Sequence, residues 1–164
     1  MSKLTSVRTA SEFKKGVVDP DYRDYKANPL DLRRAYHLAL GLFHLRDWTF
    51  WQYSETPTWR YRNSVNDYQK ELERLCSAFG YIRDLANAVK HAELDVTKKP
   101  STAMIGLAAT VISKGAFDRA IFDPRVFQTS RIVSHVSSSQ VDFDNAADAV
   151  MAMWDEMFAS NGWG

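Results

Sequence analysis

The sequence predicts a mainly α-helical protein: a bundle of about five helices, with a small β-hairpin or meander inserted before the last one. Three observations lead there. Apolar residues recur at helical spacing from about residue 30 to residue 94, and again after Asp142; that is the period of a buried helix face. Helix-starting signals (Asp19-Pro20, Asn28-Pro29, Ser64, Asp142) stand ahead of the helical runs, as capping chemistry requires. Between 101 and 140 the helical period weakens, and β-branched residues gather in T-A-M-I-G-L-A-A-T-V-I-S and R-I-V-S-H-V, a pattern of short strands. A chain of 164 residues fits one domain with a core large enough to stand alone. Its parts are a helical bundle at 10–96, a β appendage at 101–140 and a C-terminal helix at 142–160 that packs back on the bundle.

The elements follow in order. Asp19 is expected to cap a short helix with Pro20 at its first position, running to about Lys26, because proline has no N–H to waste there. Asn28-Pro29 repeats the signal, with Asp31 in the first turn of a helix reaching about Tyr53. That helix carries Ala35, Leu38, Ala39, Leu40, Leu42, Phe43, Leu45, Trp48, Phe50 and Trp51. Apolar on nearly every side, it belongs in the middle of a bundle. Residues 55–63 form a loop broken by Pro57, and Ser64 with Asp67 resembles a capping box, with Asp in place of the usual Glu. The helix that follows is expected to run to about Phe79, with Gly80 as a break or kink, and the next to about Leu94, before Lys98-Lys99-Pro100. Lys114-Gly115 and Asp123-Pro124 punctuate the β region, where 103–112 could instead be a buried helix. Asp142 then caps a helix whose Ala147, Val150, Met151, Trp154 and Phe158 share a face.

Composition sets bounds on partners. The net charge is +1, so the molecule as a whole is not drawn to nucleic acid or anionic lipid, and such a partner needs a local basic patch. The single cysteine, Cys76, excludes an intramolecular disulfide and a multi-cysteine zinc site. No apolar leader opens the chain, and the longest apolar run, 103–112, is about half the length that spans a bilayer. A cytoplasmic protein with no membrane contact is expected. Nucleotide-binding glycine patterns, a nucleophile elbow and a kinase signature are all missing from the sequence, and Ser137-Ser138-Ser139 suits a turn.

The most varied chemistry lies in I-R-D-L-A-N-A-V-K-H-A-E, residues 82–93. On a helix, Ile82, Leu85, Ala86, Val89 and Ala92 fall on one side, while Arg83, Asp84, Asn87, Lys90 and His91 gather in an arc of roughly 120° on the other. A solvated face normally carries Glu and Lys; this one carries five different polar functions, a mixture able to bind a phosphate or move a proton. The plainer alternative is a wet face with a structural Asn–His or Asp–Arg contact. The long helix places Arg33, His37, Gly41, His44, Trp48 and Trp51 together, and the spacing of His44 and Asp47 sets an imidazole beside a carboxylate able to orient it. Packing of the two helices would bring His37 or His44 toward Asn87 and His91; the alternative is ordinary core histidines. His37, His44, Asp47 and His91 are metal-ligand types, but HExxH and tight His-x-His spacings are missing, so no metal and no cofactor are expected. Trp59-Arg60-Tyr61-Arg62 in the loop, and Arg33-Arg34 with Arg46, combine rings and guanidinium groups that suit single-stranded RNA; loop packing and solubility are the plainer roles.

The pair A-Y-H-L-A-L-G-L-F-H-L-R-D-W and L-A-N-A-V-K-H-A-E-L, followed by a β segment and a tryptophan-bearing last helix, is similar to a group of uncharacterised bacterial and phage proteins over roughly 30–160. More distantly, the helical layout and the Arg-Asp…His stripe resemble HEPN domains, helical bundles common in toxin–antitoxin and phage-defence systems. The family pattern is Arg, a polar residue, then His after four to six positions; here seven residues separate Arg83 from His91. The resemblance implies a protein that engages RNA or a nucleic-acid-processing partner, extending to weak metal-independent ribonuclease activity. His91 would then be the base toward a ribose 2′-hydroxyl and Arg83 the stabiliser of phosphate charge, with Asn87, His44 and Asp47 in support. Lys90, Trp59, Arg60 and Arg62 would contact RNA, and a homodimer would complete the site. The alternative from another class is a non-catalytic protein–protein interaction module, such as a phage-encoded inhibitor or antitoxin-like partner.

Overall fold

The computed structural model describes residues 6–61, 63–91, 110–113, 131–136 and 139–164, the side chains of His91, Ser113, Val136 and Ser139 excepted. Among the described residues there are six α-helices and a three-stranded sheet, five of the helices in the expected order and the sheet inserted before the last.

The first helical run starts earlier than expected. Thr9 caps α1 (Ala10–Phe13) through a capping box with Glu12, and the chain continues through a π-helical turn, Lys14–Val18, into α2 (Asp19–Ala27). Asp19 is therefore not an N-cap; its carboxylate takes the Lys14 ammonium at 2.8 Å. Pro20 sits inside a continuous run, and the widened turn before it accommodates a ring that a regular α-helix would push against the carbonyl four residues back. Asn28 ends α2, and Asp31, expected in the first turn, is itself the cap of α3 (Leu32–Tyr53), accepting from the Arg33 and Arg34 amides.

Ser64 caps α4 (Val65–Leu75) as expected, accepting from the Asp67 N–H at 3.1 Å and donating to the Asp67 carboxylate at 2.8 Å. The break that follows is not at Gly80. Cys76 turns extended and α5 (Ala78–His91) begins two residues later, with Gly80 buried inside it. Glycine lowers helix propensity but a packed helix overrides that preference.

β1 (Thr110–Ser113), β2 (Arg131–Val136) and β3 (Ser139–Asp142) make an antiparallel meander with β2 central. Thr110 pairs with Ser134, and His135 with Gln140. The helical alternative for 103–112 fails at Thr110–Ser113; the rest of that stretch lies outside the described residues. The sheet is tied to α5 by buried hydroxyls: Tyr81 to Ser134 at 2.9 Å, and Ser134 to Thr110 at 2.7 Å. Burial pushes the Tyr81 hydroxyl up to about 12. α6 (Phe143–Asn161) is capped by Asp142 and stopped by Gly162 at a left-handed φ of 67°; glycine adopts that angle without a Cβ clash.

α3 lies in the core along most of its length, but not all round: Trp51 is 78% exposed. Ala147, Val150, Met151 and Trp154 of α6 are buried as their spacing predicts, and the Trp154 indole N–H donates to the Leu42 carbonyl at 3.1 Å. Gly41 faces the junction of the π-helical turn and α2, where an added Cβ would meet Val18 Cγ2 at 3.5 Å and Asp21 Oδ2 at 3.9 Å. Those are ordinary contacts, so Gly41→Ala is expected to raise stability by about 0.5–1 kcal/mol through helix propensity. Urea titration of both proteins checks this; a loss above about 1 kcal/mol would show that this approach needs the bare backbone.

Candidate functional site

Seven polar residues of α3, α4 and α5 form one connected chain rather than two separate sites. It starts at His44, whose Nδ1 lies 3.1 Å from Asp47 Oδ2. The other oxygen of Asp47 takes Arg46 Nε at 2.9 Å and Nη2 at 2.6 Å. Arg46, stacked over the Phe43 ring at 4.3 Å, donates through Nη1 to the Gln69 carbonyl of α4. The Gln69 amide donates to Glu73 at 3.1 Å, and Glu73 accepts Arg83 Nη1 of α5 at 2.5 Å. Arg83 also donates to Asp84, with Nε at 2.9 Å and Nη2 at 2.6 Å.

Sequence spacing explains half of this. His44 and Asp47, three residues apart, share a helix face, as do Gln69 and Glu73, four apart. The links between helices depend on arginine, whose long stem and planar fork reach a second carboxyl or amide. Gln69 and Glu73 were not among the expected site residues; their shared face was the available signal.

Electrostatics fit a closed system. The Arg83 side chain is only 12% exposed and that of Asp84 2%. Asp84 thus departs from the expectation of a wet polar arc: a carboxylate one residue from Arg83 is drawn into the core by its own cation. Burial works to raise the Asp47 carboxyl, but the His44 hydrogen bond and the Arg46 charge outweigh it, and the group is held below the ordinary carboxylate range. A carboxyl lowered on folding stabilises the fold above its unfolded value, and that contribution is lost as pH falls through the folded value. The stability gap between wild type and Asp47→Asn is therefore expected to shrink as pH drops below about 4; denaturant titrations from pH 7 to pH 3 check it, and a constant gap refutes it.

The other expected residues separate. Asn87 is half-buried and Lys90 exposed on α5; His91 is the last described residue of that helix, its side chain outside the described residues. His37 is exposed beside Asp21 of α2, where burial raises the Asp21 carboxyl and the His37 charge opposes it. Arg33 is exposed; Arg34 reaches back to the Asp24 carbonyl and to Asp31. Trp59 packs among Phe50, Tyr61, Tyr68 and Trp163, with ring centroids 4.8–6.0 Å apart, while Arg60 is exposed and Arg62 lies outside the described residues. Among the described residues no group of three or more His, Cys, Asp or Glu side chains could hold a metal ion, and no helix is long and apolar enough to cross a membrane.

Chemically, the chain has one end open to solvent. The His44 side chain is 45% exposed; with Nδ1 turned to Asp47, Nε2 is the nitrogen left to exchange a proton. Elsewhere in the described residues every buried side-chain nitrogen and oxygen has a hydrogen-bond partner. No family model, curated protein or solved structure matches the chain.

Proposed function

We propose that the protein is a non-catalytic interaction module that binds a protein partner, of the phage-encoded inhibitor or antitoxin-like kind. One observation carries this reading: Arg83, the cation needed for phosphate charge, is held by Glu73 and Asp84 in a side chain almost closed to solvent. An arginine with two carboxylates is matched already, and moving it to a phosphate would take a close cation away from the buried Asp84. Two tests apply. Tagged protein in extracts of its source should recover a stoichiometric protein; recovery of none overturns the reading. On a labelled RNA pool in EDTA, wild type, His44→Ala and His91→Ala should give the same background.

A second reading is favoured by the His44–Asp47 pair. A half-exposed imidazole oriented by an ionised carboxylate is a general base in form, and it supports the HEPN-like expectation of weak metal-independent ribonuclease activity. There His44 joins His91, and RNA contacts fall to Lys90 and Arg60. Cleavage by wild type that both histidine variants lose would establish this reading and remove the first.

A further inference from the structure

We propose that the groove between the α4–α5 junction and α6 is where the protein partner docks, and that its occupant is an amphipathic helix with an aliphatic anchor and a Lys or Arg about one turn away. The inference rests on the interaction-module reading and gives it a surface. The cavity holds about 340 Å³, and its shape follows from the local chain. α4 stops at Leu75 because Cys76 goes extended, so the last apolar side chain of α4 is left 46% exposed at the rim. Met153 and Met157 of α6, one helical turn apart and nearly buried, also line the cavity. Thioether side chains adapt to the shape of what they meet. The α6 residues beside them, Ala149, Ala152 and Ser160, are exposed and short, which lets a second backbone come close.

Charge selects the occupant. Of the four carboxylates of α6, Asp144 and Asp148 meet Lys26, and Asp155 meets Lys14. Glu156, exposed and on the groove, has no ion-pair partner among the described residues. A partner cation at the rim would complete it. Among the described residues no Lys or Arg lines the groove, and its one acid, Glu156, repels a phosphate backbone. A groove with Leu75, Met153 and Met157 along it and an acid at its edge suits helix-in-groove recognition.

The test is a selection from a randomised helical peptide library panned on the intact protein and, separately, on Glu156→Lys. Peptides from the wild type should pair an aliphatic residue with Lys or Arg one turn away, and those from Glu156→Lys should carry Asp or Glu instead. Bound peptide should protect Cys76, the single cysteine, from iodoacetamide, and Leu75→Asp should weaken the selected peptides about tenfold or more. Both substituted positions are exposed, and circular dichroism confirms that the variants are folded. Failure to select any peptide, or selection of peptides indifferent to Leu75→Asp and without the charge reversal, overturns the assignment. A native partner still recovered by Leu75→Asp and Glu156→Lys would leave the interaction-module reading standing with another surface. No partner recovered by the wild type would remove that reading itself.

Discussion

Arg83→Met is expected to destabilise the fold by about 3–5 kcal/mol, the usual cost of removing one member of a buried ion pair. The loss has a specific origin. Arg83 lies between Glu73 and Asp84, and Asp84 is 1% exposed; without the guanidinium the buried Asp84 and the part-buried Glu73 lose the cation they share. Removing the second charge as well should reverse much of the damage, so Arg83→Met/Asp84→Leu is expected to be more stable than Arg83→Met alone. Guanidinium denaturation of the three proteins decides this. A single variant within about 1 kcal/mol of wild type would mean that Arg83 is free to serve a ligand, and the non-catalytic reading would lose its support.

Trp154→Ala is expected to have an effect of the same size, about 3–5 kcal/mol, for an apolar reason. Trp154 is fully buried, edge-on to Phe79 at 6.1 Å, and bonded to the Leu42 carbonyl of the central helix. Truncation opens a cavity where α3, α5 and α6 meet. Trp154→Phe keeps most of the packing and removes the hydrogen bond, so it should lose about 1–2 kcal/mol. Equal losses from the two variants would show that the bond, not the volume, holds α6 in place.

How far the sequence could be read depended on whether a feature was local. Ser64, Asp142 and the end of α3 at Tyr53 lie where they were expected, because a cap is made by residues within one turn. Asp19-Pro20 misleads for the complementary reason: proline fits a first turn best, yet here the run begins at Ala10 and the turn widens around it. Gly80 looked like the natural breaker, but tertiary packing keeps it helical and the chain breaks at Cys76. The His44–Asp47 contact was legible as a spacing. Its extension through Arg46, Gln69, Glu73 and Arg83 was not, since the facing of two helices is a property of the assembled core. Nor was the burial of Asp84 apparent, because adjacent helical residues point about 100° apart and only a long arginine can fold back between them.

The five-residue turn at Lys14–Val18 acts as a phase corrector. Upstream of it Phe13 stacks on Trp48 at 5.2 Å and the Ala10 N–H reaches Gln52; Val18, its last residue, and Asp21 beyond it lie over Gly41, and Asp24 receives Arg34. One rod thus grips both ends of α3, which a uniform helical pitch would misalign. Deleting a single residue from this turn would rotate everything ahead of it by about 100° and swing Phe13 off its tryptophan, while the sequence on either side stayed unchanged.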